Sequence, residues 1–358
     1  MTTVAASPLL GVGLHAVGAV FAASCYTPQK KVKGWSWQTY WITQASFCWF
    51  LLPIIGAYLT IPDLLKVLHE APVGAMRNSF LLGMAYGIGG TAFGISIRYI
   101  GFSLTYAIAV GLSSVLGTLI PPLVDGTLGA KLGKPGSPWI IAGIVVGTLG
   151  IACAGWAGRR KENDLTAQNN RGEFSLSKGL ALSLLAGVLS AVYGFALNAG
   201  EPIADVATAH GAGVWRGNVV YIFANTGAFL TTSIYCLYLH FRHKTLGEFV
   251  ELPAGEESAR LPINFIMAAV TGLFWYGQFF FYNLGHVRMG EKFAFTSWAI
   301  HMIMLVLFSN LMGVMLREWS QCRRITHQTI WSALLILVAA VLLLTYGNYL
   351  GDLPKLGK

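Results

Sequence analysis

A chain of 358 residues that is 55% hydrophobic and 11% charged sits far below the ~25% charged residues of a soluble domain. Its mean hydropathy of +0.60 places it in a bilayer. The net charge of +9 is carried by short loops between apolar stretches, the positive-inside pattern, and this argues against a nucleic-acid partner. Five scattered cysteines (Cys25, Cys48, Cys153, Cys236 and Cys322) make no CxxC pair, so neither a disulfide framework, a metal site nor a cofactor is expected.

Taken in order, Leu9–Tyr26 is the first apolar stretch. No Lys or Arg precedes it, and Lys30, Lys31 and Lys33 follow it, so it lacks the basic start of a signal peptide and reads as a spanning helix. Further spans are predicted at 37–59, 76–97, 102–123, 138–158, 178–199, 217–241, 261–284, 292–315 and 326–349. Each approaches the ~20 residues needed to cross. The expected fold is an all-α integral membrane protein of ten transmembrane helices.

The dense basic clusters KKVK, RRK, RHK and RR all fall on one side if the N-terminus lies outside. Both termini are therefore expected on the outer, periplasmic side. The most polar stretch, NDLTAQNNRGEFSLSK, follows the fifth span. It divides the chain into a first five-helix repeat (1–162), a cytoplasmic linker (163–177) and a second repeat (178–358). Gly13, Phe21, Ala22 and Pro28 recur at one spacing as Gly187, Phe195, Ala196 and Pro202. An odd number of spans per half inverts the second copy, a construction common in secondary transporters.

Functional candidates concentrate in Phe274–His301, FWYGQFFFYNLGHVRMGEKFAFTSWAIH. Trp275, Gln278 and Tyr282 stand at i, i+3 and i+7 on one helical face. Beyond a turn expected at Gly285–Gly290, Trp298 and His301 stand at i, i+3. An unpaired amide or imidazole in hydrocarbon costs several kcal/mol, so these groups face inward. Aromatic faces suit the C–H faces of a sugar, and amides and phenols answer its hydroxyls; the alternative is packing between helices. His15 lies on a small-residue face with Gly11, Gly18 and Ala22, as cavity lining or as an interhelical bond. Asn198, near the end of the sixth helix, joins the substrate-binding candidates. Glu201 reads as an interfacial charge and Arg98 as a cap on the third helix. For proton coupling the candidates are His301, then Glu291, then His15, since an imidazole titrates near ~6.5.

There is no phosphate loop, HExxH or GxSxG motif, which leaves neither ATP-driven transport nor an embedded enzyme in favour. The sequence resembles the L-rhamnose–proton symporters of the drug/metabolite transporter superfamily from about Leu10 to Tyr349. The resemblance is carried by Tyr26 and Pro28 with KKVKGWSW, RYIGFSLTYAIAVG at 98–111, FWYGQFFFY at 274–282, SWAIHM at 297–302 and REW at 317–319. It implies a bacterial inner-membrane carrier that imports L-rhamnose or a related deoxy sugar with a proton. The chain departs from that pattern at Gly90–Ala92, where asparagine-rich polarity is usual, at Ala294 in place of an acid, and at Glu201 in place of a base. An exporter of the same fold would favour a broader apolar cavity. A sugar sensor would need a larger cytoplasmic output element than the inner loops provide.

Overall fold

The computed structural model describes residues 7–25, 27–100, 102–133, 135–166, 175–251, 260–289 and 296–352. Ten helices among them are long and apolar enough to cross a bilayer. They are α1 (Pro8–Ser24), α2 (Trp37–Thr60), α3 (Val73–Ile100), α4 (Phe102–Val124) and α5 (Ser137–Thr166) in the first half. The second half holds α6 (Leu176–Ala199), α7 (Asn218–His243), α8 (Leu261–Met289), α9 (Ser297–Met315) and α10 (Arg324–Asp352). Short helices at Leu64–Glu70, Leu128–Leu132 and Glu201–Ala209 sit in the connections. The end of the bundle where α1 begins is called proximal below, and the opposite end distal.

The number of spans matches the sequence reading, but one boundary moves. Gly285 does not open a turn: α8 continues as helix to Met289. The reason is tertiary, because α1 runs back along it. The Ser7 N–H donates to the Arg288 carbonyl at 2.8 Å, and a Cβ on Gly285 would meet the His15 ring at 3.0 Å. Glu291 and Ala294 lie outside the described residues, as does Tyr26.

Packing is by pairs. α1 lies against α8 and α9, and α6 lies against α3 and α4. α7 packs on α3 and α8 on α2; α5 meets α4, and α10 meets α9. The pairs α2–α7, α4–α9 and α5–α10 join the two halves. Small residues permit the closest crossing, α3 on α7. A Cβ at Gly83 would fall 2.0 Å from the Ala224 carbonyl oxygen, and one at Gly227 would fall 2.1 Å from that of Phe80. Gly83→Ala is therefore expected to cost about 1–3 kcal/mol through overpacking. The readout is a lower thermal midpoint of the detergent-solubilised protein; an unchanged midpoint would contradict so close a crossing.

Two helices borrow their N-terminal acceptors from elsewhere in the chain. Glu248, in the α7–α8 connection, accepts from Ser36 N (2.8 Å), Ser36 Oγ (2.7 Å) and Thr39 Oγ1 (2.5 Å) at the start of α2. Asp164, late in α5, accepts from Arg323 N (3.0 Å) and Thr326 Oγ1 (2.7 Å) at the start of α10. A carboxylate there satisfies orphan N–H groups and meets the positive end of the helix dipole. Within α2, Ser46–Leu51 winds as a π-helix just before Pro53, which has no N–H to continue an α ladder.

Candidate functional site

Three cavities lie in series along the bundle. A proximal vestibule of about 400 Å³ is bounded by residues of α4, α6, α7 and α8, including Asp125, Asn198, Glu201, Arg216, Tyr282 and His286. A central chamber of about 90 Å³ lies between α1, α3, α4, α6, α8 and α9. A distal vestibule of about 400 Å³ is reached past Trp37, Trp41, Arg98, Asn310 and Glu318. Pockets that enclose small molecules span ~300–1,000 Å³, so the chamber is contracted here while the vestibules are of ligand size.

The helical spacing read from the sequence holds on α8. Trp275 and Gln278 line the chamber, and Tyr282, a turn further on, lines the proximal vestibule. Among the described residues the Gln278 amide has no hydrogen-bond partner, so a chamber ligand can take both its donor and its acceptor. Trp298 borders both cavities. Its indole N–H donates to the Ser113 carbonyl at 2.9 Å, and the ring lies over Gly117, where a Cβ would come within 2.5 Å of Nε1. Tyr282 meets it edge-on, with ring centroids 5.5 Å apart. This Tyr282–Trp298 pair separates the chamber from the proximal vestibule.

His301 is not beside the chamber, contrary to the i, i+3 expectation that it shares the face of Trp298. On α9 the chamber face is Trp298, Met302 and Leu305, spaced i, i+4, i+7. His301 is turned aside toward α1, 2% exposed, with its Cε1 3.1 Å from where a Gly18 Cβ would stand. There it meets His15, whose ring centroid is 5.7 Å away. His15 is fully buried and borders none of the three cavities. Both ring nitrogens of His15 and Nδ1 of His301 are buried with no hydrogen-bond partner. Tyr282 touches both imidazoles, each centroid at 5.3 Å, and stacks on His286 at 5.9 Å. Tyr282 thus stands between the proximal vestibule and the imidazole pair.

The remaining sequence candidates scatter. Asn198 is exposed at the wall of the proximal vestibule, away from the chamber. Glu201 lies beside it and is ion-paired with Arg216, which also donates to Asp205 at 3.1 Å. Arg98 opens onto the distal vestibule. Close by Trp298, Ser113, whose carbonyl takes the indole N–H, donates its own hydroxyl to Ser190 across α4 and α6 at 3.1 Å.

Two features gave no local signal. Behind the chamber, Trp37, Trp41, Trp275 and Trp49 form a run of indoles with successive centroids 5.1, 6.0 and 5.6 Å apart. At the distal mouth one carboxylate joins three parts of the chain. Glu318, just past α9, accepts from Lys30, beyond α1, and from Lys161 of α5 at 3.0 Å. The Lys161 ammonium also rests 4.8 Å from the Trp319 ring centre. Burial alone would raise the Glu318 carboxyl, but the lysines outweigh it and hold it below its ordinary value.

Ten spanning helices around aligned vestibules, with an amide and aromatic rings between them, define a multi-pass membrane carrier. The chain belongs to the L-rhamnose-proton symport protein family, whose model matches residues 4–348. It is 34% identical over 312 residues to the L-rhamnose-proton symporter of Yersinia pestis (strain Pestoides F), covering 87% of this chain and 90% of that one. The L-rhamnose-proton symporter of Yersinia pseudotuberculosis serotype O:1b (strain IP 31758) matches to the same extent.

Proposed function

We propose that this protein imports L-rhamnose, or a closely related deoxy sugar, together with a proton across a bacterial inner membrane. The observation that carries the reading is the partnerless Gln278 amide beside Trp275 in a central chamber, in a chain of this family. On this reading the sugar stacks on Trp275 and Trp298 and hydrogen-bonds Gln278. Radiolabelled L-rhamnose should accumulate in proteoliposomes under an imposed pH gradient. Gln278→Leu strands a sugar hydroxyl, a loss of ~1–3 kcal/mol, or roughly 5- to 150-fold in binding. Undiminished binding by folded Gln278→Leu would remove that residue from the site.

The same reading makes the proximal end periplasmic, with both termini there, and the distal end cytoplasmic. It is supported by the basic clusters around Lys30, Arg159, Arg242 and Arg323, all at the distal end. It also takes the fold as two inverted repeats, a superfamily trait of drug/metabolite transporters. The helix pairings support this, since exchanging the halves maps α1–α8 onto α6–α3, α1–α9 onto α6–α4, and α8–α2 onto α3–α7. Local contacts agree: Ser7 N–H bonds Arg288 O, and Ser175 N–H bonds Tyr99 O at 3.3 Å. Gly11 abuts Met289 as Gly179 abuts Ile100. The register behind this is Gly11 with Gly179 rather than Gly13 with Gly187, because nothing packs over Gly13. Transporter sites lie at the midplane between such repeats, and the chamber takes its walls from both halves of the chain.

A further inference from the structure

The chamber is chemically two-sided. Its α8 wall presents Trp275 and the Gln278 amide, whereas its α4 and α9 walls present mainly Ala109, Val110, Met302 and Leu305, with Tyr106 one turn before Val110. α4 and α9 pack on each other, so these four apolar side chains line adjacent walls of the chamber. On α9 the polar hydrogen beside Met302, the Trp298 N–H, is already committed to the Ser113 carbonyl. A hydroxyl pressed against this surface would lose its water and find no partner there. A methyl group would lose nothing.

Resting on the sugar-carrier reading above, we propose that the Val110–Met302–Leu305 surface is the specificity determinant that receives the C6 methyl of a 6-deoxy hexose. The sugar is then held by its two ends. Its ring hydroxyls turn to Gln278 and the α8 side, and its methyl turns to α4 and α9. The contracted volume acts in the same direction, since a 6-hydroxy sugar brings one more heavy atom to the tight wall. An apolar pocket discriminates against an added hydroxyl by about 100-fold, and that is the preference expected here for L-rhamnose over L-mannose, its 6-hydroxy counterpart.

The test measures uptake kcat/KM for both sugars in proteoliposomes. Met302→Gln keeps the length of the side chain while adding an amide at the wall; Leu305→Asn does the same one turn along. Each should lower the L-rhamnose to L-mannose ratio at least tenfold. Gln278→Leu should slow both sugars and leave the ratio unchanged. A ratio near one in the native protein, or within twofold of native in both wall variants, overturns the assignment while leaving sugar transport intact. Saturable uptake of neither sugar overturns the transport reading and the assignment with it. A ratio moved by Met302→Gln, alongside normal uptake by Gln278→Leu, upholds the wall and removes only Gln278 from the site.

Discussion

His301→Gln should exchange sugar across the bilayer at near-native rates yet fail to accumulate it against a gradient. A buried imidazole with an unpaired nitrogen is costly to keep, and the structure keeps two of them in contact, His15 and His301. His301 does bond the backbone of His15 on the neighbouring helix, but that leaves Nδ1 of His301 and both His15 ring nitrogens without a partner. The pair is screened from the proximal vestibule by Tyr282, which touches both rings. A proton taken up there can be delivered to the other side only if the carrier changes state with it bound. One charge moving through 100 mV supplies about 2.3 kcal/mol, a roughly 50-fold sugar ratio at equilibrium. That factor is what His301→Gln should lose, with exchange as the control for binding and folding. Accumulation at the native level would move the proton to His15 or to Glu291.

Glu318→Gln should unlock the distal mouth. In the native protein Glu318 ties the α1–α2 connection, α5 and the end of α9 together through Lys30 and Lys161. At the proximal mouth Arg216 is held by Glu201 and Asp205, both from the segment just before it, and no ion pair crosses to Asp125 among the described residues. The distal mouth is thus braced across its vestibule, whereas the pair that joins the halves at the proximal end, His210 with Glu70, lies outside the proximal vestibule's lining. A cysteine replacing Asn310, which lines the distal vestibule, should label severalfold faster from the cytoplasmic side once Glu318 is neutral. Labelling of that cysteine from the periplasmic side in sealed cells would reverse the assigned topology. Lys30→Glu and Lys161→Glu together with Glu318→Lys should restore slow labelling, and equal rates in all variants would show that the brace does not gate. Its pH dependence has a definite sign. The Glu318 carboxyl lies below its ordinary value in the folded protein, so the brace is complete above that ordinary value and lost only as the pH falls through the lowered one. A mildly acid medium that drives uptake leaves it closed.

The spans were legible because ~20 apolar residues have few other uses. Trp275 and Gln278 were legible because an amide at helical spacing from an indole cannot face lipid. His301 was placed on the wrong surface for an instructive reason. Polarity within a span says that a side chain turns away from lipid, but a helix in a bundle has several inward directions. Here i, i+4 reached the chamber while i, i+3 reached α1. Val110, Met302 and Leu305 were invisible as site residues, since an apolar wall and a lipid-facing stripe use the same side chains. Glu318, Lys30 and Lys161 read as unrelated loop charges, because their meeting depends on how three distant helix ends converge.

The run of indoles Trp37, Trp41, Trp275 and Trp49 has an optical consequence. Rings 5 to 6 Å apart exchange excitation faster than they emit, so ultraviolet light absorbed by one is shared by the group. Their fluorescence therefore belongs to the group rather than to any one residue, and its polarisation is lost by transfer even when nothing rotates. Trp37 and Trp41 border the distal vestibule and Trp275 borders the chamber. A quencher reaching either cavity is thus seen by all four, and the native protein carries an unlabelled reporter of what occupies the path through it.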